Sequence, residues 1–180
     1  FDSIRYQLPK LGALERLHGS SRIGLSNSLA QKARSQGDDT FFLYQGRAFT
    51  FAEADKRVDA VARGFLREGV QKGQRVGLVM ASRPSFLSAV TALNRVGAVA
   101  VVLPATADDA NLARAISIGE CTLVVADPEH AARARAAFAG TVLTLGGGAD
   151  PKSLPAGVSD MEAIDPGQVV PPAWYTPSPG

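Results

Sequence analysis

Short runs of apolar residues punctuate the central part of the chain, at residues 75–80, 98–103, 122–126 and 141–145. Each run has the length of a strand that is buried on both faces, and the longer stretches between them carry apolar residues at helical spacing. Strands that alternate with helices predict a βαβαβαβ order, in which right-handed crossovers make neighbouring strands parallel. The pattern therefore predicts an α/β fold, an open and mostly parallel sheet with helices on both faces.

The region before the sheet predicts two helices and a small β-hairpin. Thr50 and Glu53 have the spacing of a capping box, in which each side chain accepts a hydrogen bond from the other residue's backbone N–H. The helix that follows has a long apolar stripe, and Gly69 is its expected left-handed end. Upstream, the pattern predicts a helix over residues 23–34 and a hairpin over residues 41–50.

The first twenty residues carry an apolar stripe at helical spacing: Ile4, Leu8, Leu11, Leu14 and Leu17. One interpretation is an interfacial helix that lies on a membrane or on an acyl chain. The other is a short helix packed on its own domain. The stripe alone favours a helix and leaves both interpretations open.

Three segments follow from these patterns. Residues 1–20 form the Leu-rich helical segment, residues 21–148 form the α/β subdomain, and residues 149–180 are rich in Pro and Gly and lack periodicity. We expect the last segment to be a surface crossing that leads to a further lobe. Because the chain starts without Met and ends in a Pro-rich stretch, we expect it to be a fragment of a longer protein.

Composition and charge narrow the classes of partner. The chain has 180 residues, with 19 Lys and Arg against 17 Asp and Glu, and a formal net charge of +2. The basic residues are scattered and no aromatic-interleaved basic cluster occurs, so we expect no nucleic-acid partner. The single cysteine, Cys121, excludes an internal disulfide and a multi-cysteine metal site. A reducing, cytoplasmic location fits that cysteine usage.

The sequence lacks the common nucleotide-binding motifs. It contains no G-x-x-x-x-G-K-[ST] loop and no G-x-G-x-x-G after a strand. The Gly146-Gly147-Gly148 run follows a predicted strand, but no helix is predicted behind it, so we interpret it as a turn. His18 and His130 are far apart in sequence, and neither lies in a ligand-spaced cluster. We therefore predict no catalytic residue and no metal site.

One segment has the right position for a ligand site. Ser82, Arg83 and Ser85 follow the carboxyl end of the strand at residues 75–80 and open a helix, where open α/β sheets bind ligands. A hydroxyl, a helix N-terminus and a guanidinium suit an anionic ligand, so we predict Ser82, Arg83 and Ser85 as substrate-binding residues. The alternative is that Ser82 only caps the helix and Arg83 only contacts solvent.

Several runs together resemble the N-terminal domain of the adenylate-forming, AMP-binding acyl-CoA synthetases. The runs occupy residues 47–53, 58–62, 69–77, 82–86, 94–99 and 121–127, and their order and spacing carry the resemblance. Among the subfamilies, the chain is most similar to the fatty and very-long-chain acyl-CoA ligases.

The resemblance implies a two-step ligase that uses ATP, Mg²⁺ and CoA. A fatty acid would be activated as its acyl-adenylate and then transferred to CoA. The family's phosphate loop, Mg²⁺-binding acid and C-terminal lysine are not in these 180 residues. The fragment alone is therefore expected to be inactive, to bind no cofactor, and to supply one wall of the substrate cleft for the rest of the polypeptide. The implied location is cytoplasmic, with peripheral contact at the inner membrane face.

The chain departs from the family in one run. Val101-Val102-Leu103-Pro104 stands where the family usually has Val-Pro-Leu-Asn, so the proline is displaced and the asparagine is absent. An alternative function follows from that departure: a non-catalytic scaffold or partner-binding domain derived from this fold.

Overall fold

A computed structural model describes residues 24–147 and 154–161 of the chain. Helices and strands alternate through most of the described part. In chain order they are α1 (Leu25–Ser35), β1 (Thr40–Tyr44), β2 (Arg47–Thr50), α2 (Phe51–Arg67), β3 (Arg75–Val79), α3 (Pro84–Arg95), β4 (Val99–Val102), α4 (Asp109–Ile118), β5 (Leu123–Ala126), a 3₁₀ helix (Pro128–His130), α5 (Ala131–Ala137), β6 (Thr141–Thr144) and β7 (Val158–Asp160).

Strands β3 to β7 form one parallel sheet with the spatial order β4-β3-β5-β6-β7. In the central register, Leu78 pairs with Val102 on one side and with Val125 on the other. The chain therefore moves from β3 outward to β4, returns to the other side of β3 as β5, and continues away through β6. This reversal makes the boundary between β3 and β5 the topological switch point of the sheet, where open α/β sheets form a crevice at their carboxyl ends.

The sheet is covered on both faces, as the alternation along its strands requires. Leu78, Val125 and Leu143 point to one face, where they join a core with residues of α2 and α3 such as Phe65 and Leu93. The adjacent residues in each strand point to the opposite face. There Val79, Val124 and Val142 pack with Leu112 and Ile116 of α4 and with Ala134 of α5. The predicted α/β fold with helices on both faces is confirmed.

All four strands predicted from the apolar runs are present, each within a residue or two of its predicted bounds. The sheet also has a fifth strand, β7, in the segment for which the sequence predicts no regular element. Its residues Val158, Ser159 and Asp160 pair in parallel with β6. Three residues between Gly157 and Met161 are too few to produce a readable alternation, which is why the strand has no sequence signal.

The capping box at the start of α2 is formed as predicted. The backbone N–H of Glu53 donates to Oγ1 of Thr50 at 3.2 Å, and the N–H of Thr50 donates to Oε2 of Glu53 at 3.0 Å. The hairpin is also present, with β1 and β2 antiparallel. Its turn residues Gln45 and Gly46 both have positive φ, as the tightest hairpin loops require.

A buried arginine joins the three helices on one face of the sheet. Arg95, at the end of α3, has a side chain that is only 3% exposed. Its guanidinium contacts Asp55 and Asp59 of α2, and its Nε donates to Oγ of Ser26 in α1 at 2.9 Å. Charged groups this deep are stable only when they are paired, so this network fixes how α1, α2 and α3 sit together.

Strand β4 forms one edge of the sheet, and no strand of the described part pairs with its outer side. Val99 is exposed beside that edge, and Val102 is 64% exposed. The Leu-rich segment at residues 1–20 lies outside the described residues, so both interpretations of it stay predictions. Among the helices that the structure describes, none is both long and apolar enough to cross a bilayer.

Candidate functional site: an apolar groove at the sheet edge

A groove of about 970 Å³ opens between the hairpin, α2 and the start of α3. The turn at Gly146 and Gly147, which follows β6, closes one end of it. Because β6 and β3 are parallel strands of one sheet, this turn and the start of α3 both lie at the carboxyl edge. The groove therefore lies where this class of fold binds its ligands.

The walls of the groove are largely apolar. Leu29 of α1, Val58 of α2 and Leu87 of α3 contribute aliphatic surface, and the hairpin contributes aromatic rings. Phe42 and Phe49 stack with their ring centroids 4.7 Å apart. A surface of this kind suits the hydrocarbon or aromatic part of a ligand.

Cations outnumber anions along the same walls. Arg47, Lys56, Arg57 and Arg83 line the groove, whereas Glu53 is the acidic residue of the described lining. Arg47 is paired with Glu53 at 3.2 Å and lies over the ring of Phe49, 4.4 Å from its centroid. The excess of positive charge favours a ligand that carries a negative group as well as an apolar part.

The hydroxyl of Ser85 faces this space without a partner. Ser85 is buried at the start of α3, and its Oγ makes no hydrogen bond to any described residue. The turn after β6 approaches it closely, because a Cβ atom at residue 146 would lie only 2.3 Å from that Oγ. Gly146 has φ +86°, and its lack of a Cβ atom allows such an approach. The unpartnered hydroxyl is available to bind a polar atom of a ligand.

The structure separates the three residues that the sequence predicts as substrate-binding. Arg83 and Ser85 line the groove, whereas Ser82 is exposed and is not part of the lining. Ser82 does not cap the helix either: the N-cap of α3 is Arg83, and no side chain bonds the first turn. The alternative interpretation of Ser82 as a cap is therefore wrong, since Pro84 begins the helix one residue later than such a cap requires.

Arg83 is held by two carboxylates. Its guanidinium bonds Glu129, and its Nε lies 3.7 Å from Oδ1 of Asp127. The hydrogen bond to Glu129 raises the pKa of Arg83, against the opposing effect of burial. Much of its positive charge is already neutralised, so Arg83 attracts a ligand anion less strongly than the sequence alone suggests.

Asp127, the buried carboxyl group at this edge, was not predicted from the sequence. Asp127 directly follows β5, is fully buried, and accepts a hydrogen bond at Oδ2 from the N–H of Ala81 at 2.5 Å. Burial raises the pKa of Asp127, and the Ala81 N–H and the Arg83 charge oppose that effect. The available signal was an acidic residue placed directly after an all-apolar strand, at the edge where parallel strands end.

The described residues do not form a phosphate cradle. Gly146 and Gly147 follow a strand, but within residues 24–147 and 154–161 no helix begins behind them, and the turn packs directly on Ser85. Backbone N–H groups backed by a helix are what hold phosphates in such folds. These residues therefore do not fit ATP with its Mg²⁺ ion.

The sequence profile of the AMP-binding enzyme family matches residues 29–173, which include the hairpin, the helices, the sheet and the groove. The chain belongs to the AMP-binding enzyme family. This match confirms the resemblance to the adenylate-forming acyl-CoA synthetases, and it accounts for the α/β fold.

Curated relatives of this AMP-binding chain include CoA ligases and transport proteins. It is 30% identical over 144 residues to a feruloyl-CoA synthase from an Amycolatopsis species, an alignment that covers 77% of the chain and 29% of the relative. It is 33% identical over 72 residues to long-chain fatty acid transport protein 6 from Homo sapiens, covering 39% of the chain and 12% of the relative. The chain thus spans less than a third of the length of the curated relatives that it matches.

Solved structures of the family share this fold. A benzoate CoA ligase from Burkholderia xenovorans LB400 superposes with a TM-score of 0.68 at 17% identity, covering 85% of this chain and 30% of that one. At that identity the likeness concerns the arrangement of helices and strands alone. It establishes that this AMP-binding chain has the N-terminal α/β architecture of such ligases.

Proposed function

We propose that the full-length protein containing this chain is an ATP-dependent acyl-CoA ligase, and that the groove forms one wall of its acyl-substrate cleft. The observation that carries the proposal is the family match over residues 29–173, which includes every element around the groove. In such a reaction the carboxylate would displace pyrophosphate from ATP to give an acyl-adenylate, and the CoA thiol would then take the acyl group and release AMP. The rest of the polypeptide supplies the groups that bind ATP, Mg²⁺ and CoA.

The residues of this chain hold the substrate. The aliphatic and aromatic walls bury its apolar part, which is worth about 25 cal/mol for each Å² removed from water. Arg83 and Ser85 line the groove at the start of α3, where a cation and an unpartnered hydroxyl suit the polar end of a carboxylic acid. Ser82 lies outside the lining, and its part in substrate binding stays a prediction.

A fatty acid is the proposed substrate class. The volume of about 970 Å³ and the aliphatic contribution of Leu29, Val58 and Leu87 support a flexible chain. The similarity to a long-chain fatty acid transport protein supports it as well. An aromatic acid is the competing substrate class, because the relatives include a feruloyl-CoA synthase and the hairpin carries the stacked pair Phe42 and Phe49.

The test is acid-dependent release of pyrophosphate by the full-length protein, measured with and without CoA. The acids compared are fatty acids of increasing length, ferulate and benzoate. We expect the highest kcat/KM with a fatty acid; a preference for ferulate or benzoate assigns the groove to aromatic acids instead. Absence of pyrophosphate release, together with no thermal shift on adding ATP or CoA, supports the non-catalytic scaffold and overturns the ligase.

A matched pair of variants ties the activity to the groove. Leu87→Asn places an amide on the groove wall, whereas Leu43→Asn makes the same change on the outer face of the hairpin, where the side chain is 74% exposed. We expect Leu87→Asn to raise KM for the acid and Leu43→Asn to leave it unchanged. Equal effects of the two substitutions contradict the placement of the substrate.

We also propose a cytoplasmic protein that contacts the inner membrane face through residues 1–20. The apolar stripe of that segment and the water-insoluble substrate class support this location. Deletion of residues 1–20 from the full-length protein is expected to reduce its sedimentation with anionic liposomes. Unchanged sedimentation favours the segment as a helix packed on its own domain.

A further inference from the structure

A compact group of polar side chains lies at the topological switch point, beside the groove. The chain leaves β5 as Asp127-Pro128-Glu129-His130, and a carboxylate or imidazole atom from each of Asp127, Glu129 and His130 lies within 4.8 Å of the others. We propose that these three residues bind a divalent transition-metal ion such as Zn²⁺. The ligase function proposed above neither requires nor supplies this ion.

Two of the candidate ligand atoms are buried without a hydrogen bond. Asp127 has a side chain that is 0% exposed; its Oδ2 accepts from Ala81, but its Oδ1 has no hydrogen-bond partner. Nδ1 of His130 is also buried and makes no hydrogen bond, although it lies near Oδ2 of Asp127. Buried polar atoms are almost always satisfied, so two unsatisfied atoms in one cluster of side chains point to a bound group.

The spacing of the cluster fits a metal ion. Nδ1 of His130 lies 3.5 Å from Oδ2 of Asp127, the carboxylate oxygen that also accepts from the Ala81 N–H. Metal–nitrogen and metal–oxygen bonds of about 2.0–2.2 Å in a tetrahedral zinc site place neighbouring ligand atoms about 3.3–3.6 Å apart. One imidazole and two carboxylates supply three ligands, which leaves a fourth position for water. The ligand types are those that Zn²⁺, Co²⁺ and related ions accept.

The charge of the cluster of Asp127, Glu129 and His130 also favours binding of a cation. Asp127 and Glu129 contribute two carboxylates, and Arg83 balances the charge of one of them. The guanidinium bonds Glu129 but stays 3.7 Å from Oδ1 of Asp127, so it leaves that oxygen unbonded. Arg83 is 28% exposed and can turn toward solvent as an ion takes its place. Arg83 and the metal ion therefore compete for the same carboxylates.

The position in the fold supports a ligand here. Arg83 follows β3, and Asp127 follows β5. Between these two strands the order in which the chain adds strands to the sheet reverses. Helix α3, which follows β3, packs on one face of the sheet, and α5, which follows β5, packs on the other. The crevice between two such diverging connections is the usual ligand position in open α/β sheets.

The test is metal binding by the full-length protein without ATP or Mg²⁺. Calorimetric titration with Zn²⁺ gives the affinity, and the visible absorption of bound Co²⁺ reports the ligand set. We expect Glu129→Gln and His130→Gln each to raise the Kd by at least about tenfold. His18→Gln removes the chain's other histidine and is expected to leave the Kd unchanged. Arg83→Met is expected to lower the Kd, because it removes the competing cation.

Several results would overturn the assignment. Absence of Zn²⁺ and Co²⁺ binding, or the same Kd for wild type and His130→Gln, means that Arg83 is the only cation these carboxylates bind. Weaker binding in Arg83→Met contradicts the competition. If Arg83→Met does not fold, the comparison rests on Glu129→Gln and His130→Gln, whose side chains are partly exposed and carry no part of the core.

Discussion

Nη2 of Arg95 lies 2.6 Å from Oδ1 of Asp55, at a point where the last turn of α3 meets the middle of α2. Asp59, one helical turn further along α2, contacts the same guanidinium, and Ser26 of α1 completes the set. Three helices on one face of the sheet thus share a single cation. Their relative positions matter for function, because α1, α2 and α3 all contribute to the groove.

Removal of that cation is expected to destabilise the fold. Arg95→Met removes the guanidinium that Asp55 and Asp59 share, and loss of one partner from a buried ion pair costs about 3 kcal/mol. Arg95→Lys keeps the charge but loses the planar fork that reaches both carboxylates, so we expect an intermediate loss. Urea unfolding measures both. A midpoint for Arg95→Met equal to that of wild type contradicts a stabilising role for the network.

The capping box predicts a dependence of stability on pH. The hydrogen bond from the Thr50 backbone lowers the pKa of Glu53, with a smaller contribution from Arg47. A carboxyl group with a lowered folded-state pKa stabilises the protein above its unfolded-state pKa, and this contribution is lost as pH falls through the folded-state value. Glu53→Gln does not ionise. We therefore expect wild type to exceed Glu53→Gln in Tm at neutral pH and the difference to disappear in acid. A difference that stays constant with pH indicates that the ionised carboxylate is not the stabilising species.

The close approach of Gly146 to Ser85 is testable by a double-mutant cycle. Gly146→Ala introduces backbone strain, of about 1–3 kcal/mol at a left-handed residue, and a steric clash with Oγ of Ser85. Ser85→Gly removes the clash but not the strain, so the double variant is expected to recover part of the stability.

Gly46→Ala separates the two effects, because Gly46 also has positive φ but nothing lies within 4 Å of its missing Cβ. We expect Gly46→Ala to cost less than Gly146→Ala, and chemical denaturation measures each. If Ser85→Gly restores no stability to the Gly146→Ala variant, the close contact between the turn and α3 does not cause the loss.

Ser85→Ala is expected to change stability and activity in opposite directions. The buried hydroxyl has no partner among the described residues, and burial of an unsatisfied polar group costs about 1–3 kcal/mol, part of which the substitution recovers. A contact between the hydroxyl and the substrate predicts a higher KM in the same variant. Ser88→Ala is the control, because the Ser88 hydroxyl already donates to the Pro84 carbonyl. A parallel loss of stability and activity in Ser85→Ala indicates a purely structural serine.

Sequence patterns predict the fold well because the strands are buried on both faces. Continuous apolar runs such as 75–80 and 122–126 have glycines and helical stripes on either side. In that setting few structures other than a buried strand are compatible with the run. The capping box was also predicted correctly, since it depends only on two residues that lie three positions apart in sequence. Strand β7 was missed because its pairing with β6 comes from tertiary contacts, and three residues carry no periodicity of their own.

The site was only partly predictable. The position of Arg83 and Ser85 after a strand placed them at the right edge of the sheet, but the partners of Arg83 lie just after β5, more than forty residues away in sequence. The contact of Asp127 with Ala81 spans a similar separation, and no local pattern indicates it. Local patterns identify the edge where ligands bind, whereas long-range strand order decides which side chains meet there.

The outer edge of strand β4 affects how residues 1–180 behave when they are expressed by themselves. Within the described residues, no strand pairs with the outer side of β4 next to Val99 and Val102, and such an edge is a template onto which a second molecule's strand can add. We therefore expect concentrated samples to form intermolecular β-sheets. Val102→Lys places a charge on the outer edge of β4 with little effect on the core. We expect this substitution to keep such samples monodisperse.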